Sequence, residues 1–186
     1  MIIWLTGAIG SGKSAAAAIL RALGATTVDL DAVVHDLHTH ADVRARVANA
    51  LQLPAGYSRA DVAAVVFQDA ARLQQLESIL HPLVWEEVAR IRDNAADSVV
   101  AIEMPLPPRV MDGDVVICLE ASEATRLRRL LQRGMALQDL QARMAAAPTP
   151  DSYRAGARYV VTNDRDAADL ELALRPIWNE VTHAAG

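Results

Sequence analysis

A glycine-rich segment near the start of the chain carries residues suited to binding a phosphorylated nucleotide. Residues 7–14 read Gly-Ala-Ile-Gly-Ser-Gly-Lys-Ser and match the P-loop pattern G-x-x-x-x-G-K-[ST] at every fixed position. The segment follows an apolar run, Met1 to Thr6, and precedes a helix-forming run, Ala15 to Leu23. Backbone N–H groups and the positive end of that helix would surround the phosphates of a nucleoside triphosphate. The residues predicted to bind the nucleotide here are Gly10, Ser11, Gly12, Lys13, Ser14 and Ala15.

Two side chains of this segment have chemical roles beyond the cradle. Lys13 is predicted to reach the outer phosphates and to act in catalysis, and the Ser14 hydroxyl is predicted to hold Mg²⁺. Glu103 ends a later apolar run, Ser98 to Ile102, and is also predicted to act in the Mg²⁺ sphere. An acid that only faces solvent at a strand end is an open alternative for Glu103.

Two carboxylates follow the second apolar run, Ala25 to Leu30. Asp29 and Asp31 are two residues apart, which in an extended chain places both side chains on the same side. We predict Asp31 to be the general base that accepts the proton of an acceptor hydroxyl, and Asp29 to contact the substrate. Asp31 could instead only cap the following helix, and both roles could coexist.

Arginines follow the fourth apolar run, Asp114 to Leu119. Residues 123–144 read as one helix, on which Arg126, Arg129 and Arg133 share a face at steps of three and four. Arginines on a mobile lid would neutralise the transferring phosphoryl group and exclude water, which assigns Arg129 and Arg133 to catalysis. A solvated basic face is the open alternative.

Five apolar runs alternate with helical segments, and the last run, Arg158 to Thr162, precedes Asn163. This alternation predicts an α/β fold, a P-loop NTPase three-layer sandwich with a parallel five-stranded sheet. Ligands of such sheets bind beyond the carboxyl ends of the strands, where the residues named above all lie. We predict a nucleotide-binding core of 1–31, 98–122 and 145–186, a helical acceptor-binding insertion of 32–97, and a helical lid of 123–144.

The insertion shows four stretches of helical periodicity. These are Val43 to Leu51, Ala60 to Phe67, Arg72 to Leu80 and Val84 to Ile91. His81 and Pro82 separate the last two stretches, so we predict a bend there, with an imidazole that could line a pocket. His35, His38 and His40 are close in sequence, but we do not interpret them as a metal site. The segment has no cysteine, and Mg²⁺ on phosphate prefers oxygen ligands.

Composition limits the other function classes. The chain has 186 residues, 52% of them hydrophobic, which is enough for a full core. Its formal net charge of -5 argues against a general nucleic-acid surface. The single cysteine, Cys118, reads as a buried small hydrophobe, and we expect a soluble cytoplasmic protein without a signal peptide or membrane span. The sequence leaves the oligomeric state open.

The motifs occur in a recognisable order along almost the whole chain. The P-loop, the Val28-Asp29-Leu30-Asp31 strand end, the run Leu76 to Val84 with His81-Pro82, Pro105-Leu106, the arginine helix and Asn163 together resemble the dephospho-CoA kinase family. The resemblance implies transfer of the γ-phosphoryl group of ATP to the ribose 3'-hydroxyl of dephospho-CoA, with Mg²⁺. It also implies that Asp31 is the base and that Asn163 contacts adenine. The residues expected to contact the acceptor are His81, Asp29, Pro105 and Leu106.

Several positions depart from the family pattern. Ala15 replaces a threonine, and His35 replaces an arginine. Pro107-Pro108-Arg109 replaces Leu-Phe-Glu, Arg158 stands at an aspartate position, and a glutamine and a lysine are absent around Ala147 to Tyr153. These departures leave two alternatives open: a related P-loop kinase with another small hydroxyl-bearing acceptor, and a nucleotide-binding regulator without turnover.

Overall fold

The computed structural model describes residues 1–66, 68–95, 98–104, 114–137, 140, 144 and 147–183. The chain divides into two compact units. The first unit, which we call the nucleotide unit, comprises Met1–Asp29 and Ala95–Gly186. The second, the helical unit, comprises Leu30–Asn94.

Within the described residues, a five-stranded sheet of order β2-β3-β1-β4-β5 forms the centre of the nucleotide unit. Every pair of neighbouring strands is parallel, which confirms the predicted sheet. The strands are β1 (Ile2–Thr6), β2 (Thr26–Asp29), β3 (Val100–Glu103), β4 (Val115–Glu120) and β5 (Tyr159–Thr162). The helices are α1 (Lys13–Ala22), α2 (Leu30–Leu37), α3 (Ala41–Leu51), α4 (Arg59–Val66), α5 (Ala70–Asn94), α6 (Glu123–Gln132), α7 (Pro150–Arg154) and α8 (Ala167–His183).

The core of the nucleotide unit explains why its central strands are almost wholly apolar. All five residues of β1 are buried, and so are the first five of β4. A parallel strand covered by helices on both faces has no solvent side, so it reads as a continuous apolar run. Helix α1 contributes Ala16, Ala17 and Leu20 to this core, and α8 contributes Leu170 and Leu174. This packing holds the start of α1 beyond the carboxyl end of β1.

Helix α6 is shorter than the single helix predicted over 123–144, so that boundary was wrong. Ser122 caps its start by accepting a hydrogen bond from the Thr125 N–H at 3.3 Å. At its end, Gly134 has a positive φ of 81°, which glycine adopts without steric cost. Its N–H donates to the Leu131 carbonyl at 2.9 Å, and this closes the helix directly after Arg133.

The helical unit has its own core, formed by α3, α4 and α5 around Val43, Val47, Leu51 and Leu80. Helix α5 runs continuously from Ala70 to Asn94 with Pro82 inside it, where the sequence indicated two helices. Proline removes one backbone hydrogen bond but does not end a helix whose flanking turns are held by packing. Ile79, Leu80, Val84 and Val88 are buried on both sides of Pro82. Within the described residues, no helix has the length and apolar character needed to cross a membrane.

Candidate active site

The loop between β1 and α1 has a backbone that only glycine permits. Gly7, Gly10 and Gly12 have φ of 137°, 81° and 105°, values that L residues with side chains rarely adopt. Contacts add a second reason. A Cβ on Gly7 would lie 2.2 Å from the Leu119 carbonyl oxygen, and one on Gly12 would lie 2.1 Å from the Asn163 Nδ2. The loop is therefore packed against the ends of the neighbouring strands.

Helix α1 begins at Lys13, with Gly12 as its N-cap residue. Its first backbone N–H groups therefore lie at the loop, where they lack partners within the helix and attract anions. The ammonium group of Lys13 donates to the Gly7 carbonyl at 2.8 Å and lies 3.5 Å from the Ala8 carbonyl. Lys13 thus spans the loop that its backbone helps to form. Ser11 is buried and Ala15 is exposed at the start of α1.

The structure brings together the two residues predicted to hold Mg²⁺. The Ser14 hydroxyl donates to Glu103 Oε2 at 2.8 Å. The reason is the sheet register, which pairs Glu103 with Leu5 on one side and with Asp29 on the other. A hydroxyl and a carboxylate beside a phosphate-binding loop are the oxygen ligands that Mg²⁺ prefers, so this pair fits the ion. Among the described residues, no group of three or more His, Cys, Asp or Glu side chains forms a separate metal site.

Asn163 and Arg129 form hydrogen bonds with the backbone of the glycine-rich loop. Asn163 is buried, and its Nδ2 donates to the Ser11 carbonyl at 2.8 Å. Arg129 donates to Asn163 Oδ1 at 3.3 Å and to the Gly10 carbonyl at 3.4 Å. The Asn163 amide therefore donates to the loop through Nδ2 and accepts from Arg129 through Oδ1. Contact between Asn163 and adenine remains a proposal.

The other two arginines of the predicted face occupy different surroundings. Arg126 packs against the loop, since a Cβ on Gly10 would lie 3.1 Å from the Arg126 Cβ. Arg133 is exposed at the C-terminal cap of α6. The structure therefore brings Arg126 and Arg129 to the loop and leaves Arg133 in solvent.

A cavity of about 420 Å³ lies within the nucleotide unit, beyond the carboxyl end of β4. Its lining combines loop residues with polar side chains, and a volume of this size is typical of small-ligand sites. The residues that matter here are Gly7, Ala8, Ser11, Arg126, Tyr153 and Asp164. The phosphate-binding loop thus forms one wall of a ligand-sized space.

Sequence reasoning missed two polar contacts that shape this cavity. Arg154 Nη2 donates to Glu120 Oε2 at 2.9 Å, which ties α7 to the end of β4. Asp164 Oδ1 accepts from the backbone N–H and the hydroxyl of Ser122, each at 2.8 Å. These two hydrogen bonds lower the pKa of Asp164. Polar residues directly after strands were the available signal, since Glu120 and Asp164 end or follow β4 and β5.

Burial raises the pKa of the Cys118 thiol to about 11, and the nearby Glu120 carboxylate adds to the shift. The side chain is fully buried in β4. Cys118 is therefore a core residue at neutral pH, as the apolar run around it indicated, because only the thiolate is a strong nucleophile.

The remaining predicted residues are Asp29 at the end of β2, two residues of the helical unit, and two residues outside the described ranges. Strand β2 ends at Asp29 and α2 begins at Leu30, so Asp31 is in the first helical turn. The extended geometry assumed for the Asp29–Asp31 pair was wrong, because the chain turns into a helix between them, and Asp31 does not precede the helix as an N-cap would. Asp31 and His81 are exposed residues of the helical unit. Pro105 and Leu106, with the departures at 107–109, fall outside the described residues.

Comparison with known proteins gives consistent matches. The family described as dephospho-CoA kinase (CoaE) matches residues 1–169. The dephospho-CoA kinase of Frankia casuarinae is 36% identical over 192 residues, covering 96% of this chain and 82% of the relative. That of Streptomyces avermitilis is 33% identical over 196 residues, covering 98% and 95%.

Solved structures agree with the sequence matches. The crystal structure of TT1252 from Thermus thermophilus is similar with a TM-score of 0.82 at 30% identity, covering 97% of each chain. The dephospho-CoA kinase from Campylobacter jejuni shares the fold, with a TM-score of 0.67 at 19% identity, covering 100% of this chain and 98% of that one.

Proposed function

The chain belongs to the dephospho-CoA kinase family, and we propose that it transfers the γ-phosphoryl group of ATP to the ribose 3'-hydroxyl of dephospho-CoA. The observation that supports this most directly is the hydrogen bond between Ser14 and Glu103 beside a glycine-rich loop. It places two oxygen ligands for Mg²⁺ beside a loop that binds phosphate groups, and phosphoryl transfer requires both. The family match does not favour another acceptor or a regulator without turnover.

The nucleotide unit supplies positioning and charge. The loop amides and the start of α1 bind the phosphates, and Lys13 neutralises the oxygens on which charge builds up in the transition state. Ser14 and Glu103 would hold Mg²⁺. When bound, this ion neutralises phosphate charge and orients the transferring group. Arg129 keeps the loop in shape through its contacts with Asn163 and the Gly10 carbonyl.

The helical unit supplies the proposed base. Asp31 would accept the proton of the 3'-hydroxyl as the ribose oxygen bonds to the γ-phosphorus and the bond to the β-phosphate oxygen breaks, releasing ADP. His81, Asp29, Pro105 and Leu106 remain the proposed acceptor contacts. Arg133 is proposed to contact the phosphoryl group only in a closed state, because it is an exposed cap residue on α6.

The test is ADP release measured with and without dephospho-CoA, with mass spectrometry of the product. We expect release that depends on both dephospho-CoA and Mg²⁺, and that is lost in Lys13→Ala. Release that needs no acceptor, or that occurs only with other alcohols, would reject the proposed function.

A second measurement addresses the arginines of α6. Arg133→Ala should lower kcat with little change in the KM for ATP, as expected for a contact made mainly in the transition state. Arg128→Ala is the matched control, because Arg128 is exposed on the same helix and lies off the shared face. Equal kcat values for the two variants would remove Arg133 from the mechanism.

A further inference from the structure

Four basic side chains of the helical unit lie close together, and the proposed mechanism does not use them. We call His35, His38, Arg44 and Arg59 the basic cluster. Arg59 Nη1 lies 2.9 Å from His35 Nδ1, which connects α4 to α2. Arg44 of α3 donates to the Tyr57 carbonyl at 2.8 Å and stacks over the Tyr57 ring, with 4.5 Å from Cζ to the ring centroid. Helices α2, α3 and α4, together with His38 in the turn after α2, therefore bring positive or protonatable groups close to one another.

No carboxylate forms an ion pair with this cluster within the part of the chain that the structure describes. Neither Arg44 nor Arg59 forms an ion pair there. Burial lowers the pKa of His38, and the charges of Arg59, Arg44 and His35 lower it further. The nearby acids are engaged elsewhere: Asp61 accepts from Ser58, and Asp36 faces His40. Like charges gathered without a counter-charge repel, so a bound anion would stabilise the arrangement.

The cluster also offers hydrogen-bond donors. A guanidinium group has no acceptor atom, so in its contact with Arg59 the His35 Nδ1 accepts the hydrogen bond. The remaining proton of neutral His35 is then on Nε2, which can donate to a ligand. His38 Nδ1 is buried without a hydrogen-bond partner among the described residues. Arginine adds several N–H groups in a planar fork that matches phosphate oxygens.

The position of the cluster along α2 relates it to Asp31. His35 follows Asp31 by four residues on α2, so the two share a face about 6 Å apart along the axis. His38 lies three residues further, and its N–H still donates to the Val34 carbonyl at 3.1 Å, as in a helix. The Asp31 carboxylate is therefore followed on the same side of the chain by His35, one turn away, and by His38, two turns away.

We propose that the basic cluster binds the diphosphate of dephospho-CoA while Asp31 receives the 3'-hydroxyl of the same ribose. This inference rests on the proposed function, because it assigns a part of that acceptor to named residues. In dephospho-CoA the ribose carries the diphosphate on its 5' carbon and the reacting hydroxyl on its 3' carbon. One sugar ring separates the two groups, and this matches the short spacing between Asp31 and His35. Arg59 and His35 act here as acceptor-binding residues.

The test compares Arg59→Gln with Arg46→Gln. Arg59 is exposed, and its side-chain hydrogen bond is to His35, so its loss should leave the fold intact. Arg46 is an exposed arginine of α3 in the same unit and is not in the cluster, so its replacement removes the same charge elsewhere. We expect Arg59→Gln to raise the KM for dephospho-CoA about tenfold, as for a lost charge-assisted hydrogen bond, with kcat and the KM for ATP unchanged. Arg46→Gln should match the wild type.

Two further measurements separate binding from structure. Calorimetric titration with dephospho-CoA in the absence of ATP should show the same loss of affinity in Arg59→Gln. Arg59→Lys should recover most of that affinity, because it keeps the charge that attracts the diphosphate. Raising the salt concentration should weaken binding to the wild type more than to Arg59→Gln, because salt screens exposed charges.

The outcomes distinguish this inference from the proposed function. Absent wild-type turnover and binding with dephospho-CoA would reject both. Normal wild-type turnover with an unchanged KM in both Arg59→Gln and His35→Gln would reject the basic cluster alone. Equal losses in Arg59→Gln, Arg59→Lys and Arg46→Gln would also reject it, because they would show a general effect of altering the unit.

Discussion

Replacing Gly12 by alanine tests how the phosphate-binding loop is held. The new Cβ would lie 2.1 Å from Asn163 Nδ2, closer than such atoms approach in proteins, and Gly12 has a φ of 105°. The backbone strain of a non-glycine residue there is about 1–2 kcal/mol. Displacing the Asn163 amide breaks its 2.8 Å hydrogen bond to the buried Ser11 carbonyl, which costs about 1–3 kcal/mol more. The expected loss is about 2–5 kcal/mol, a large part of a typical stability of about 5–15 kcal/mol.

The assay is urea unfolding followed by far-UV circular dichroism on four proteins: wild type, Gly12→Ala, Asn163→Ala and the double variant. Asn163→Ala breaks the same hydrogen bond and also removes the side chain that the new Cβ would meet. The double variant should therefore be about 1–3 kcal/mol more stable than the sum of the two single losses predicts. The KM for ATP should rise in both single variants.

Gly56→Ala is the matched control for this cycle. A Cβ on Gly56 would meet nothing within 4 Å, and its φ is not positive, so its stability should stay within about 0.5–1 kcal/mol of the wild type. Strictly additive losses for Gly12→Ala and Asn163→Ala would refute the reasoning, since they would show that the two side chains do not collide.

Three further predictions concern the chemistry. Glu103→Gln should raise the Mg²⁺ concentration needed for half-maximal ADP release about tenfold, because it removes a charged ligand beside Ser14; an unchanged Mg²⁺ titration would exclude the pair as a metal site. Asp31→Asn should lower kcat by about a hundredfold or more with an unchanged melting temperature, and near-normal turnover would leave Asp31 as a helix-start residue only. The Cys118 pKa of about 11 means that less than about one thiol in a hundred is ionised at pH 8. Native protein should therefore resist iodoacetamide at that pH and react fully in urea; rapid alkylation without urea would contradict the burial.

The strands were predictable from the sequence because the hydrophobicity of a strand's residues depends on how deeply that strand is buried. Each of the five apolar runs lies where the structure has a strand. For the central strands β1, β3 and β4 the reason is burial on both faces, which excludes polar side chains. Helix ends were less predictable. Gly134 ends α6 through its positive φ, but the arginine spacing of three and four runs up to Arg133, so periodicity gave no sign of an end there. Pro82 shows the reverse case, because packing on both sides outweighs one missing hydrogen bond.

The predicted site residues divide in the same way. Ser14 ends the P-loop pattern, and Glu103 follows the apolar run Ser98 to Ile102. The carboxyl ends of parallel strands meet at one edge of the sheet, so these two residues come together there. Asp31 was assigned to an extended chain because it directly follows the run Ala25 to Leu30, whereas in the structure α2 already begins at Leu30. Asn163 forms hydrogen bonds with Ser11 and Arg129, which are more than thirty positions away from it in the sequence. A pattern of neighbouring residues does not predict such a contact.

The amino-acid sequence alone determined the phosphate-binding loop, the parallel sheet and the kinase family, because each is encoded by contiguous residues or by the order of motifs. Only the tertiary structure decided which arginines contact the loop and that Asn163 stabilises it. It also decided that four basic groups, from three helices and the turn after α2, gather without an ion-paired carboxylate among the described residues. Those outcomes depend on distances between elements, and these distances are set when the whole core packs rather than by any one segment.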